Sequence, residues 1–213
     1  MRVKTEEKRR AIIDIAAQVF RVKGFAAASM AEISARLGGS KGTLYSYFTS
    51  KEELFSAVVL ELGRLLTGPM YEELEQSRNP KTAIRLFARR LVNLFASPEA
   101  IDFRRLLAAE GARTGIGKLA YETIEAAHHE RFARFYSAQA SAGLLREADP
   151  HRAATHIEGL CSAGPVQRLI EGVVERVSDE ELMATADAAA DVFLRGYLAN
   201  EPLAKRSRVR RTG

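Results

Sequence analysis

A short polar helix is predicted within the stretch GGSKGTLYSYFTSKEELF, residues 38–55. Ser40 can cap a helix over residues 41–47, because its hydroxyl can accept an N–H from the first turn. On that helix Leu44 and Phe48 are four positions apart and share one face. We expect this face to pack on a core formed by neighbouring apolar residues, so one side of the helix is anchored.

The other side of this helix is small and polar. Gly42, Thr43 and Ser46 point away from the anchored face, and Tyr45 and Tyr47 lie on its flanks. A helix that enters the DNA major groove needs a bare N-terminal end, short donors for base edges and flanking groups for phosphates. The pattern therefore favours a recognition helix over a helix that serves packing alone.

A second helix is predicted just before it, separated by a short turn. Ser29 and Glu32 form a capping-box pattern that opens a helix over residues 30–37, and Gly38 ends it. A three-residue turn, 38–40, then leads to the helix 41–47. This spacing is that of a helix-turn-helix.

Helix signals continue through the rest of the chain. Ser50 with Glu53, and Ser178 with Glu181, are further capping boxes, while Pro80 and the pair Asp149-Pro150 are typical of first helical turns. No strand alternation or internal repeat interrupts them. The sequence predicts an all-α fold of about nine helices.

The charge is distributed unevenly along the chain. The 213 residues carry a net charge of +5, yet residues 1–51 hold ten Lys/Arg against four Asp/Glu, and residues 52–200 hold 17 against 22. The last 13 residues, 201–213, hold five basic residues and one acidic residue. A basic front on an acidic body favours a polyanionic partner, although scattered charge can also serve solubility alone.

Several function classes find no support in the sequence. The single cysteine, Cys161, excludes a disulfide framework and favours a reducing cytoplasm. No apolar run reaches the roughly 18 residues of a membrane span, and the N-terminus lacks a signal-peptide pattern. His128 and His129 have no third ligand at metal-binding spacing, and phosphate-loop, zinc-protease and nucleophile-elbow motifs are absent. We therefore expect no enzyme activity, metal or cofactor, and no membrane partner.

The segment GFAAASMAEISARLGGSKGTLYSYFTSKEELF, residues 24–55, resembles the DNA-binding segment of the TetR family of bacterial transcriptional regulators. The likeness is dense over residues 8–55. The resemblance implies a DNA-binding domain at residues 1–50 with its motif at about 29–48, a ligand-binding and dimerisation domain at 51–200, and a basic, disordered tail at 201–213. From FRRLLAAEGAR to ASAGLLREADPHRAA, the body looks like that of AcrR- and AefR-type regulators.

The resemblance also implies roles for individual residues. Bases or phosphates of an operator would be contacted by Ser29, Ser40, Lys41, Gly42, Thr43, Tyr45, Tyr47 and Lys51, with Lys51 on the DNA backbone. Alone, the tyrosines would be explained equally well by packing and the lysines by solvation. One departure is Gly39, where the family usually has an apolar residue, and its loss of a core contact would loosen the turn.

In the body, the resemblance implies an effector pocket and a homodimer interface. The candidate pocket residues are Leu62, Leu66, Phe87, Leu91, Phe103, Leu107, Glu110, Ile124, His128, Phe132 and Phe135, most of which would serve equally as plain core. Glu110 and His128 could fix a polar group of the effector. The candidate interface residues are Ile157, Leu160, Cys161, Leu182, Ala186, Ala189, Phe193 and Tyr197, whose faces could instead be buried within one subunit.

The predicted function is a cytoplasmic, ligand-responsive transcriptional regulator, most often a repressor in this family. Its dimer would bind a palindromic operator and leave it when a small apolar or amphipathic effector enters the body. Two alternatives remain at this stage. One is a DNA-binding regulator without a small ligand, and the other is a helical interaction module that has lost DNA binding.

Overall fold

The structure, a computed structural model, describes residues 5–199, without the side chains of residues 62–69, 110, 113 and 114. The basic tail at 201–213 and the side chains of Leu62, Leu66 and Glu110 therefore lie outside the described residues. Within the described range the fold is all-α, as predicted, and Leu145 and Leu198 form an isolated antiparallel bridge.

Eleven α-helices and one π-helical segment make up residues 5–199, against about nine helices predicted. They are α1 (Glu6–Ala27), α2 (Met30–Leu37), α3 (Lys41–Tyr47), α4 (Lys51–Gln76), α5 (Pro80–Phe95), α6 (Pro98–Thr114), α7 (Ile116–Ala120), the π-helical segment (Tyr121–Glu125), α8 (Ala126–Ser141), α9 (Pro150–Ser162), α10 (Pro165–Ile170) and α11 (Asp179–Tyr197). The extra helices are α10, where a kink or helix end was expected, and α7, which the π-helical segment joins to α8.

The helix starts follow the capping signals of the sequence. The hydroxyls of Ser29, Ser50 and Ser178 each accept the backbone N–H of the residue three positions on, at 3.2, 3.0 and 3.2 Å. The side chain of Asn79 caps α5 ahead of Pro80, and Asp149 caps α9 in the same way. These bonds satisfy N–H groups that a helix start leaves without partners.

The buried apolar residues form two clusters. The N-terminal core joins α1, α2, α3, the first half of α4 and α7, and includes Ile12, Phe20, Ile33, Leu44, Phe48, Leu54, Phe55 and Ile116. The body core joins the second half of α4 with α5, α6, α8, α9, α10 and α11, and includes Tyr71, Phe87, Leu91, Phe132, Ile157, Phe193 and Tyr197. Since α4, with its 26 residues, contributes to both, it links the two cores.

Candidate nucleic-acid interface

The helices α2 and α3 have the predicted bounds and the predicted turn. Gly38 ends α2 in the left-handed conformation, with φ of 68°, which a glycine adopts without steric cost. Ser40 then caps α3, and its hydroxyl accepts the N–H of Thr43 at 3.2 Å. The turn is also held by Ser34, whose buried hydroxyl donates to the carbonyl of Gly39 at 3.2 Å. This bond pins the turn at the position where an apolar side chain is missing.

One face of α3 is anchored and the other is open to solvent. Leu44 is fully buried and Phe48 is 2% exposed, both in the N-terminal core. On the opposite side, Lys41 and Gly42 are exposed and the Tyr45 ring is 48% exposed. Lys41 forms no ion pair with any residue that the structure describes. The accessible side of α3 therefore carries a cation, a glycine and an aromatic phenol.

The hydroxyl groups near this surface are partly committed to local bonds. Ser29 and Ser40 serve as N-caps, and the Ser40 and Thr43 hydroxyl oxygens are 3.0 Å apart. The Ser46 hydroxyl donates to the carbonyl of Thr43 at 2.7 Å. Ser29 and Ser40 remain exposed, and because each cap uses the hydroxyl oxygen as an acceptor, the hydroxyl proton can still donate to a phosphate.

Tyr47 has a structural contact that the sequence did not reveal. Its phenol oxygen accepts the backbone N–H of Thr5 at 2.9 Å, across 42 positions of the chain. Thr5 in turn caps α1 by accepting the N–H of Lys8. Tyr47 therefore ties the start of α1 to the end of α3, and this contact helps to position α3.

Lys51 also points into the molecule. Its ammonium donates to the carbonyls of Phe25, Ala26 and Ala28, at 2.8, 3.3 and 3.1 Å, and lies 4.4 Å from the centre of the Phe25 ring. These carbonyls belong to the end of α1, after Gly24 has broken its helical course with φ of 75°. The ammonium has three protons and three acceptors here, which disagrees with the phosphate contact that the resemblance implies for Lys51.

The candidate pocket residues do not form one group. Phe87, Leu91, Phe132 and Phe135 are buried in the body core, whereas Phe103, Leu107 and Ile124 pack against the N-terminal core. The His128 ring lies edge-on to Tyr71 of the body core, at a centroid distance of 5.5 Å. A single pocket lined by all of them is therefore not the arrangement that the described side chains adopt.

A polar cluster lies beside His128 in the body. Arg104 on α6 stacks over the Phe95 ring, 3.9 Å from its centre, and burial lowers the pKa of its guanidinium. Arg104 has no hydrogen bond or ion pair with the described part of the chain. Burial raises the pKa of Glu125, which belongs to the π-helical segment, and lowers the pKa of His128. Arg104 keeps part of its surface open to solvent, and the nearby carboxylates of Glu158 and Glu125 favour its charged form.

His129 completes this cluster from the side of α9. Its Nε2 lies 2.8 Å from a carboxylate oxygen of Glu158, and this hydrogen bond raises the pKa of His129. The π-helical turn next to the cluster is a feature often found at functional sites. The spacing of the histidines drew attention to His128 at the sequence level, but Arg104, Glu125 and Glu158 gave no pattern that could have assigned them.

Most of the residues predicted for the dimer interface are buried inside a single chain. Six of them are buried in the body core of a single chain, namely Ile157, Cys161, Ala186, Ala189, Phe193 and Tyr197. Leu160 and Leu182 are partly buried against the same core. The apolar stripes of α9 and α11 therefore meet within one subunit, and burial raises the pKa of the Cys161 thiol to about 12.

Among the described residues, no cluster of three or more His, Cys, Asp or Glu side chains has the arrangement of a metal site. In the same part of the chain, no helix combines the length and the apolar character that a membrane span requires.

Two family models match the chain. The model for bacterial regulatory proteins of the tetR family matches residues 12–58. The model for the C-terminal domain of AefR-like transcriptional repressors matches residues 82–199, which is more than half of the chain.

Individual relatives agree with these models. A TetR-family transcriptional regulator from Mesorhizobium loti is 30% identical, with a TM-score of 0.83 over 92% of this chain and 100% of that chain. The flavonoid-responsive regulator FrrA is 28% identical, with a TM-score of 0.76 over the same shares. The nicotine-responsive transcriptional repressor HdnoR of Paenarthrobacter nicotinovorans is 30% identical over 108 residues, or 51% of this chain and 54% of that protein. The chain spans about half the length of the curated relatives it matches.

Proposed function

The chain belongs to the TetR family of DNA-binding transcriptional regulators, and we propose that it is a ligand-responsive repressor. In this proposal a homodimer binds a palindromic operator through α2 and α3 of each subunit, and a small apolar or amphipathic effector releases it. Residues 1–50 form the DNA-binding domain and residues 51–200 the effector and dimer domain, with α4 shared between them.

The exposed side of α3 is the observation that carries the DNA-binding part. Lys41 and Tyr45 are exposed on a helix that Leu44 and Phe48 fix to the core. An anchored helix with an accessible N-terminal end can enter the major groove, where a cation meets phosphates and side chains meet base edges. Because Tyr47 and Lys51 are engaged inside the domain, we assign them to positioning α3 and α1 rather than to direct readout.

We expect the purified protein to protect a palindrome upstream of its own gene or a neighbouring gene, with an affinity that falls steeply with salt. Tyr45→Ala should weaken binding to the protected site by about 1–3 kcal/mol and leave non-specific binding unchanged, if the ring meets a base. Lys41→Gln should weaken binding to all DNA and lower the salt slope by about one, because one phosphate contact is lost. Footprinting across a salt series measures both effects.

Two variants in the body serve as matched controls for this experiment. Tyr121→Ala removes a ring that is 54% exposed, and Lys81→Gln removes an exposed lysine on α5. Neither should change operator affinity or salt slope. Binding that ignores sequence, with equal losses in the α3 and control variants, would instead support a helical interaction module without operator recognition.

The polar cluster around Arg104 supports the effector part. Arg104 is partly buried, stacks on Phe95 and has no hydrogen-bond acceptor among the described residues, so its guanidinium can donate to an anionic or phenolic group of an amphipathic molecule. Beside the cluster, the His128 ring meets the buried ring of Tyr71, which packs in turn on Phe87. FrrA is a flavonoid-responsive regulator, so phenolic amphiphiles are one suitable class to examine.

We expect at least one member of a panel of flavonoids and medium-chain fatty acids to lower operator affinity. In Arg104→Gln, the concentration needed for release should rise about tenfold, since a charge-assisted hydrogen bond is lost. Arg134→Gln changes an exposed arginine on α8 and should leave the response intact. Fluorescence anisotropy of a labelled operator measures the release. A wild-type protein that no panel member displaces would favour a regulator without a small ligand.

The dimer interface is proposed on the outward side of α9 and α11. Thr155, Gly159, Ala184 and Ala188 are exposed there, and Val192 is 56% exposed. A Cβ at Gly159 would meet no atom within 4 Å. Small residues on an outer helix face allow another helix to approach closely, which offsets the helix-breaking tendency of a glycine within α9. A two-fold pair of such faces would place two recognition helices for a palindrome.

A further inference from the structure

We propose that the groove between α1 and α6 is a binding site for a hydrophobic cation, separate from the polar cluster in the body. This junction groove is lined by Ile13, Asp14 and Phe20 of α1, by Asp102 and Phe103 of α6, and by Val58 of α4 at its base. It holds a volume of about 590 Å³, which lies within the range of small-molecule sites.

The surface of the junction groove is mainly apolar. Ile13, Phe20 and Val58 belong to the N-terminal core and present their remaining accessible surface to it. Phe103 and Leu106 are only partly buried and form the opposite wall. Two phenyl rings and three aliphatic side chains can therefore cover the apolar portion of a ligand, which favours binding in proportion to the apolar area removed from water.

The charges at the rim of the groove are not balanced. Asp14 on α1 and Asp102 on α6 are exposed, and neither has a hydrogen-bond or ion-pair partner among the described residues. Of the two arginines nearby, Arg21 pairs with Glu99 at 3.8 Å. The guanidinium of Arg105 donates to the carbonyls of Leu169 and Ile170, at 2.6 and 3.0 Å. Within the described range, Asp14 and Asp102 thus leave one carboxylate accessible on each wall.

This combination selects for charge as well as for apolar surface. A cation in the groove would meet a carboxylate from either wall, and an aromatic face adds further attraction for a positive charge. An anion of the same size would bury its apolar surface equally well but would face two like charges. The ligand class is therefore an apolar molecule with a single delocalised or quaternary positive charge.

A ligand in this position would contact α6, a helix that packs on both parts of the fold. The groove residues Phe103 and Leu106 pack on the N-terminal core. The same helix packs on the body through Ile101, and Arg105 bonds the carbonyls of α10. A cation that bridges the two walls would bind more tightly to the arrangement with the preferred wall spacing. It would therefore shift the population of subunit conformations to the extent of that difference in affinity.

Two ions of nearly equal shape and opposite charge test the site directly. We expect tetraphenylphosphonium to bind the full-length protein at least about tenfold more tightly than tetraphenylborate, as measured by isothermal titration calorimetry. This preference would oppose the net charge of the chain, which is +5. In the double variant Asp14→Asn/Asp102→Asn, tetraphenylphosphonium should bind about tenfold more weakly and the preference should disappear. Since both carboxylates are exposed and have no partner among the described residues, the variant should fold normally.

Two further variants locate the site. Glu175→Gln/Glu180→Gln makes the same change in net charge at exposed positions elsewhere and should leave the affinity intact. Ala109→Trp introduces a large side chain on the α6 wall and should block the groove without changing its charge. Equal affinities for the two ions would overturn the proposal. So would tetraphenylphosphonium binding that survives both the asparagine substitutions and Ala109→Trp, because the ion would then occupy another part of the protein.

Discussion

Lys51→Met is expected to lower the free energy of unfolding by about 2–3 kcal/mol, because it removes a cation that bonds three carbonyls at the end of α1. The methionine retains the aliphatic stem and part of the contact with the Phe25 ring, so the loss arises mainly from unsatisfied acceptors. Urea denaturation of the DNA-free protein, followed by circular dichroism, measures the change.

Lys41→Met provides the matched control for this result. Lys41 is exposed on α3 and forms no described ion pair, so its replacement should change stability by less than about 0.5 kcal/mol. In DNA binding the order of the two effects should be reversed. Lys41→Met should lower the salt slope directly, whereas Lys51→Met should not. If Lys51→Met instead kept wild-type stability and lowered the salt slope by about one, the result would support the phosphate contact that the family resemblance implies.

The role of Lys51 illustrates a limit of inference from sequence. Its position at the first turn of α4 is visible in the sequence, as is the glycine at position 24. Its acceptors, however, become available only because Gly24 adopts a positive φ and turns the segment Phe25–Ala28 toward α4. The contact joins residues 23 to 26 positions apart, and no local periodicity encodes it. The bond between Tyr47 and Thr5 has the same origin.

Local chemistry, by contrast, predicted much of the fold. The bounds of α2 and α3 agree with the structure because a serine cap and a left-handed glycine are decided within a few residues. The prolines at 80 and 150 begin helices for the same reason. The helix that was expected from about residue 118 instead begins as α7 and passes through a π-helical turn, which depends on an extra residue that the apolar spacing does not register.

The pocket and interface residues were harder to assign than the helices. An apolar stripe at helical spacing shows that a face is buried, but it does not distinguish a core from a ligand pocket or from a second subunit. Phe132 illustrates this, since its ring lies 5.3 Å from Phe87 and 5.8 Å from Phe193 in the interior of one chain. The Arg104 cluster escaped notice because its members come from α6, the π-helical segment, α8 and α9, which only the tertiary fold brings together.

Phe193→Ala is expected to destabilise the subunit itself, by about 3–5 kcal/mol, because the ring is 1% exposed and its removal leaves a cavity in the body core. The ring stacks on Tyr197 at 4.5 Å and meets Phe132 edge-on at 5.8 Å, so both neighbours lose contacts. Urea denaturation across a range of protein concentrations measures the loss. If Phe193 lay in a dimer interface instead, the variant would keep a stable monomer.

Val192→Asp, one position away on α11, should leave the subunit stable and disrupt the dimer. Val192 is 56% exposed on the outward face, so a carboxylate there costs little in the isolated subunit but is buried without a partner if two such faces meet. Sedimentation equilibrium should show a folded monomer for this variant and a dimer for the wild type. Val173→Asp, which alters a valine that is 65% exposed outside α9 and α11, should remain dimeric.

Together, Phe193→Ala and Val192→Asp distinguish the role of α11 in the body core from its role in the dimer interface. Residues 192 and 193 are about 100° apart around α11, so one faces the body core and the other the solvent or a second subunit. A dimeric Val192→Asp protein would move the interface away from this face, whatever the stability of Phe193→Ala. A monomeric one should also lose most of its operator affinity, because a palindrome is bound tightly only when two recognition helices are held at a fixed separation.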